Sequence, residues 1–170
     1  MSPHPSSASG PASGAHGGGE APPSTPYVHY HRLRVRYAET DQMGRAHHAN
    51  HIVYMEEGRT RMMADLGLPY DEVERRGIGL VVRAVDVRYR DAALYDEELV
   101  VCTWVRTVRG ASVEIAYDIR RAKDDTSVAT GSTQLACVDL TREPAAVIPL
   151  PRDLFDLFDA ARLGRVIPPG

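Results

Sequence analysis

The sequence predicts an α+β domain in which an antiparallel sheet wraps around one long helix. Two patterns carry that expectation. Apolar residues recur at helical spacing over residues 50–66, and after Gly77 the pattern changes to strand-like alternation through four successive segments. Antiparallel strands that follow a single long helix need that helix packed against a sheet face.

Residues 29–37 place Leu33, Val35 and Tyr37 on one face and Arg32, Arg34 and Arg36 on the other, the period of a strand. Residues 38–49 read as a loop. Asn50 is the expected N-cap, because its side-chain oxygen can accept from an unpaired backbone N–H. From there Ile52, Met55, Met62, Met63 and Leu66 form an apolar stripe, broken at Arg59, along about 25 Å of helix. Gly67 suits the positive φ of a helix stop, and Pro69 prevents continuation. Residues 71–76 suggest a short second helix or turn. The strand-like segments are 80–90, 98–108, 112–120 and 127–140. In the first, Val85, Val87 and Tyr89 face away from Asp86, Arg88 and Arg90, and in the third Val113, Ile115, Tyr117 and Ile119 form the buried side. Arg109-Gly110 and Lys123-Asp124-Asp125 supply the turns. A C-terminal helix follows over 151–163, with Leu154, Leu157 and Phe158 on one face, Pro151 in its first turn and Gly164 at its stop.

A chain of 170 residues that is 43% hydrophobic is long enough for one core. Of residues 1–26, 17 are Gly, Pro or Ser, which cannot bury enough apolar surface to offset ordering. The expected organisation is therefore a disordered tail over 1–26, one folded domain over 27–150 and a C-terminal helix and tail over 151–170. The tail has neither the basic start nor the apolar core of a signal peptide, so a cytoplasmic location is expected. A net charge of −3 gives no case for nucleic acid or an anionic membrane, and no apolar run approaches a membrane span. Cys102 and Cys137 lie apart in strand-like sequence and read as buried free thiols.

The chemistry concentrates in Tyr37-Ala-Glu-Thr-Asp41-Gln-Met-Gly44-Arg-Ala-His47-His48-Ala-Asn50. It sets one carboxylate, Asp41, in a glycine-containing loop just before a helix N-terminus, where unpaired N–H groups and a partial positive charge can stabilise an oxyanion. That combination suits hydrolysis of an activated acyl group, with Asp41 as base or nucleophile. The competing reading of Asp41 is an Asx-turn residue bonded to its own downstream backbone. Gly44 either takes positive φ or lets the backbone approach a substrate. The His48 imidazole could bond Asp41, protonate a leaving group, or only satisfy a loop carbonyl. Tyr37 and Tyr54 are candidate acyl-pocket residues or core aromatics, and Met55 lines the same pocket or belongs to the core. His47, His48 and His51, with His29 and His31, invite a metal reading, but no third ligand is identifiable and no metal or other cofactor is expected. There is no Gly-x-Ser-x-Gly elbow and no glycine-rich phosphate loop, which excludes a serine hydrolase of the α/β type, nucleotide hydrolysis and hydride transfer.

The Tyr-x-x-Thr-Asp-x-x-Gly-x-x-x-His-x-Asn spacing resembles the 4-hydroxybenzoyl-CoA thioesterase family of hotdog-fold proteins. The His at Asp41 plus seven, His48, resembles its branch of small bacterial acyl-CoA thioesterases associated with the Tol-Pal system. The resemblance runs from about Leu33 to Asp139, through Val81-Val82-Arg83 and Arg109-Gly110-Ala-Ser112. It implies a hotdog fold, acyl-CoA hydrolysis with Asp41 as base or nucleophile, and the His48 N–H as the group that polarises the thioester carbonyl. It also implies a homodimer with sheets joined edge to edge, or a homotetramer built from two such dimers. Many relatives carry an aromatic residue where His51 stands, so the acyl pocket departs from theirs. Among the arginines Arg59, Arg61, Arg83, Arg88 and Arg109, the resemblance ranks Arg83 and Arg109 first for the coenzyme A phosphates. Two alternatives accompany this expectation: an acyl-carrier-protein thioesterase of polyketide or fatty-acid biosynthesis, and a noncatalytic acyl-binding hotdog protein.

Overall fold

The computed structural model of the chain describes residues 25–166. In chain order its elements are β1 (His29–Arg34), α1 (Asn50–Asp65), α2 (Tyr70–Arg75), β2 (Ile78–Tyr89), β3 (Glu98–Arg109), β4 (Ser112–Arg121), β5 (Ser127–Asp139), β6 (Ala146–Val147) and α3 (Arg152–Arg162), with a 3-10 turn at Tyr37–Glu39. The tail expected over 1–26 lies outside the described residues up to residue 24, as do residues 167–170.

The sheet is antiparallel throughout, in the order β1-β3-β4-β5-β2, with the short β6 added to the end of β5. It curls around α1, which is the hotdog plan. The four long strands are not a simple meander. Short turns hold β3, β4 and β5 side by side, and β2 crosses to the far edge of β5 instead of meeting β3. That edge position explains why its alternation does not bury a face: residues 81–86 are all exposed, including Val82 at 49%.

The first strand also differs from expectation. Pairing with β3 ends at Arg34, the chain turns through Tyr37–Glu39, and Tyr37 is 78% exposed rather than inward like Val35. On α1 the buried face is His51, Tyr54, Met55, Gly58, Arg59, Met62 and Met63. Ile52 is exposed, and the stripe is not broken at Arg59, which is only 5% exposed. Its aliphatic stem packs inward while the guanidinium donates to Glu56 Oε1 at 2.7 Å. Gly58 is needed for the close approach to β3, since a Cβ there would meet Thr103 Oγ1 and Val101 Cγ1 at 2.7 Å. Gly67 does adopt positive φ (88°) after α1.

Asn50 is the first residue of α1 and does not cap it. The turn starts earlier, with Asn50 N–H donating to the His47 carbonyl (2.9 Å) and His51 N–H to that of His48 (3.3 Å). The Asn50 amide is used elsewhere, as described below. The core between α1 and the sheet holds Leu99, Val101, Ile115, Ile119 and Leu135 with the three helix methionines, and α3 adds Leu154, Phe158 and Ala161 against β3. Cys102 and Cys137 are both buried free thiols. No helix among the described residues is long and apolar enough to cross a membrane.

Candidate active site

The loop between β1 and α1 is tied to the body by a residue that sequence reading passed over. Glu39 is buried, and its Oε2 accepts from the Arg36 N–H and the Tyr54 hydroxyl, both at 2.8 Å. Oε1 accepts from the Arg36 guanidinium. Its backbone carbonyl accepts from Asn50 Nδ2 (2.7 Å) and His47 N–H (2.8 Å). Burial alone would push this carboxyl up, but the Arg36 and Tyr54 bonds outweigh it and hold the group below its ordinary range. Burial and the neighbouring Glu39 push the Tyr54 phenol well up, so it stays a donor.

Two residues on, Asp41 meets different surroundings. Its Oδ1 accepts from Met43 N–H (2.8 Å) and Arg45 N–H (3.3 Å), so the Asx-turn geometry is present. The backbone closes the same turn, through Asp41 N–H to the Arg45 carbonyl and Gly44 N–H to the Asp41 carbonyl. Gly44 has φ 69°, a conformation that favours glycine. Asp41 Oδ2 accepts no hydrogen bond among the described residues. One oxygen therefore builds the turn and the other is uncommitted.

Asp41 lines a cleft of ≈ 560 Å³ together with His48, His51 and Tyr89. Met43, Arg45 and Arg90 border it, and residues 91–93 complete the wall. Arg121 of β4 holds that wall by donating to Asp91 Oδ2 (3.0 Å) and the Ala92 carbonyl (2.8 Å), while Ala46 N–H donates to the Ala93 carbonyl (2.8 Å). The Ala92 N–H and then Arg121 keep the Asp91 carboxyl below its usual value.

His48 sits where α1 begins. Its N–H donates to no described group, although the neighbouring N–H of Ala49 is taken by His47 Nδ1 (3.3 Å). Its carbonyl accepts from the Tyr89 hydroxyl (3.0 Å). The His48 ring stacks on His47 and makes no hydrogen bond to Asp41 among the described residues, so the imidazole–carboxylate contact weighed for the pair is absent. His51 is 3% exposed, its ring nitrogens are closed off from solvent, and neither makes a well-aligned hydrogen bond, although the His48 and His47 carbonyls lie close enough to favour the charged ring. Burial pushes its imidazole below 6.5; the His48 and His47 carbonyls only partly offset this, so the ring is neutral at pH 7.

The other singled-out residues lie elsewhere. Tyr37 packs edge-on against Tyr95 outside the cleft. Tyr54 is buried against Glu39, and Met55 packs over Gly131 of β5, so none of the three expected acyl-pocket residues lines this cleft in the protomer. Arg83 and Arg109 do converge, in a separate cleft of ≈ 150 Å³ with Glu114 and Gln134. Glu114 alternates with the inward Val113 and Ile115, so this cleft opens on the face turned away from α1. Arg83 is the unpaired residue of a β-bulge between Val82 and Ala84. The cleft arginines are instead Arg45 and Arg90, which sequence reasoning missed along with Tyr89; all three are brought there by the β2–loop contact and carry no local signal. His29 and His31, which invited a metal reading, bond Asp65 (2.7 Å) and Glu57 (2.9 Å) across β1 and α1.

Residues 35–158 match the thioesterase-like superfamily. The chain is 37% identical over 113 residues to YneP of Bacillus subtilis, covering 66% of this chain and 81% of YneP. It is 29% identical over 118 residues to the acyl-CoA thioesterase YbgC of Haemophilus influenzae, covering 69% and 85%. Its structure is similar to that of the DHNA-CoA thioesterase of Staphylococcus aureus, with TM-score 0.73 and 26% identity over 83% of this chain and 97% of that one.

Proposed function

The chain belongs to the thioesterase-like superfamily, and on that premise we propose that it hydrolyses acyl-CoA thioesters to a free acid and coenzyme A. The observation that carries this reading is one cleft lined by both Asp41 and His48, with Asp41 Oδ2 and the His48 N–H free of hydrogen bonds among the described residues. Asp41 serves as general base on water or as the carboxylate nucleophile. The His48 N–H, backed by the positive end of the helix, receives the charge that develops on the carbonyl oxygen, a contribution of about 10²–10³ in rate. Water adds to the acyl carbon, the C–S bond breaks, and coenzyme A leaves as the thiolate and takes a proton.

The similarity to YbgC, an acyl-CoA thioesterase, supports the same substrate class. The Tyr37–Asn50 spacing favours the branch of small bacterial acyl-CoA thioesterases associated with Tol-Pal, within the 4-hydroxybenzoyl-CoA family. The domain that does this work runs over residues 27–150. For the coenzyme phosphates, Arg45 and Arg90 stand at the cleft, whereas Arg83 stands six residues from Tyr89 along β2, about 20 Å away. The pantetheine arm spans that distance, or a second protomer shortens it. The exposed β2 edge, with Val81, Val82 and Val85, favours such a homodimer, since an unpaired apolar strand edge is a template for pairing.

The test is release of free thiol from acyl-CoAs of graded length, with wild type against Asp41→Asn. Asparagine keeps a side-chain oxygen for the Met43 and Arg45 N–H groups, so the turn survives while the reactive carboxylate is lost. Turnover by wild type that collapses in the variant is expected. Full activity in the variant would move the catalytic centre away from Asp41, and no turnover by folded wild type would overturn the hydrolase reading. Light scattering reads the oligomer; a stable monomer would remove the edge-to-edge dimer.

A further inference from the structure

We propose that Arg121, at the end of β4, is a positioning residue that holds the Asp41 carboxylate in place through the backbone of residues 91–97. The inference rests on the thioesterase reading of the Asp41 cleft and deepens it, since Arg121 itself does not line that cleft. The Asp41 turn is closed by Arg45, whose N–H donates to Asp41 Oδ1 (3.3 Å) and whose carbonyl accepts from Asp41 N–H (2.8 Å). The same backbone leans on the opposite wall. Arg45 forms an antiparallel bridge with Leu94, Ala46 N–H donates to the Ala93 carbonyl (2.8 Å), and Tyr95 N–H reaches the Gly44 carbonyl (3.4 Å). The Tyr37 ring meets Tyr95 edge-on at 5.7 Å, which adds a side-chain contact to that wall.

Residues 91–97 join β2 to β3 and belong to neither strand. Asp96 there has φ 65°, a left-handed conformation that a non-glycine residue keeps only where its surroundings fix it. The anchor from the sheet is one guanidinium, on a side chain only 12% exposed. Arg121 Nη2 donates to Asp91 Oδ2 (3.0 Å) and the Ala92 carbonyl (2.8 Å), and Nε donates to Glu97 Oε2 (3.3 Å). Glu97 Oε2 also accepts from Leu94 N–H (3.0 Å), which carries the hold to the residue that bridges Arg45. Without the guanidinium, the Asp91 and Glu97 carboxylates that share it would repel each other and loosen the wall. Ala93 and Leu94 would then shift, and Arg45 and Ala46 would carry Asp41 with them. A displacement of about 1 Å at a reacting group costs about 10²-fold in rate, even when its origin lies away from the chemistry.

The experiment measures kcat and KM for the acyl-CoA that wild type turns over fastest, in Arg121→Met and Arg121→Lys, each with and without Asp41→Asn. Amide hydrogen exchange on the same proteins, with no substrate present, reads the turn directly. Arg121→Met should lower kcat by about 10²-fold and leave KM within about threefold. Arg121→Lys, which keeps the charge but loses the fork, should recover part of the loss. In the Asp41→Asn background Arg121→Met should cost almost nothing more, because no carboxylate remains to be held. Exchange at the Arg45 and Ala46 amides should quicken by about tenfold in Arg121→Met, with the core strand amides of Ile115 and Leu135 unchanged. Unchanged kcat in a folded Arg121→Met, an equal loss with and without the Asp41 carboxylate, or unchanged exchange at Arg45 and Ala46 would each overturn the inference. Quickened exchange at the turn, with no turnover of any acyl-CoA by wild type, would uphold Arg121 as the anchor of the turn and sink the hydrolase reading instead. If Arg121→Met fails to fold, the same comparisons with Arg121→Lys decide.

Discussion

Glu39 and Asp41 are two carboxylates of one loop, two residues apart, and the structure bonds them in opposite ways. Glu39 is buried, accepts from Arg36 and Tyr54 through both oxygens, and fastens the loop to α1 through its carbonyl as well. Among the described residues the Asp41 carboxylate bonds only its own turn, through one oxygen, and the residue lines a cleft. Saturating every lone pair makes a carboxylate a structural clamp and removes it from chemistry. Leaving one oxygen free on a hydrogen-bonded turn is what the proposed role as base or nucleophile requires. The closed end of the loop is thus what allows the open end to be held still.

On that division, substitutions at the two ends separate into losses of rate and losses of stability. The largest effect expected is at Asp41→Asn: turnover falls by about 10²–10⁴ while the melting temperature stays within error of wild type, read by thiol release and circular dichroism. Comparable losses of both would erase the distinction.

Glu39→Ala should do the reverse, costing about 3 kcal/mol because it strands the buried Tyr54 hydroxyl and releases the Asn50 and Arg36 contacts from a fixed anchor. Urea unfolding measures it. The sign with pH follows from the lowered Glu39 pKa. A depressed carboxyl contributes stability that is present above its ordinary value of 4.5 and is lost as pH falls through the lower folded value. Wild type should therefore lose stability below about pH 4.5 and Glu39→Gln should lose less of it over the same window. An identical acid limb in both would show that Glu39 is not the clamp.

Gly44→Ala tests the open end without touching a bond. A Cβ there meets nothing within 4 Å, so the cost is the positive φ alone, about 1 kcal/mol, with kcat/KM falling as the Asp41 turn relaxes. The smallest effect is expected at Tyr89→Phe, which deletes the bond to the His48 carbonyl at a half-exposed site. Stability should change by about 0.5 kcal/mol, and kcat/KM by a few-fold if the carbonyl bond helps aim the His48 N–H.

The elements and the turn that holds Asp41 were largely legible, because their signals are local. Gly67 after the methionine stripe, the alternation of Val113, Ile115, Tyr117 and Ile119, and the Asp41–Gly44 spacing each declare themselves within a few residues. The failures were of another kind. Asn50 has the chemistry of a cap, but the Glu39 carbonyl eleven residues earlier competes for its side chain and wins. Arg59 looks like a break in an apolar face, but the sheet accepts its stem and Glu56 its charge. Tyr54 and Met55 look like pocket residues, but the body of the fold claims them.

By itself, the sequence determined one long helix, its stop, the strand segments and a carboxylate poised before a helix start. Period and turn chemistry act over two to four residues, so they need no knowledge of the rest of the chain. Only the tertiary structure decided that β2 takes the far edge of β5, that Glu39 is the clamp while Asp41 bonds through one oxygen alone, and that His51 is buried beside the same cleft. Those outcomes depend on which distant groups reach a polar atom first once the core has closed, and burial makes that competition decisive because an unpaired atom in the interior cannot fall back on water.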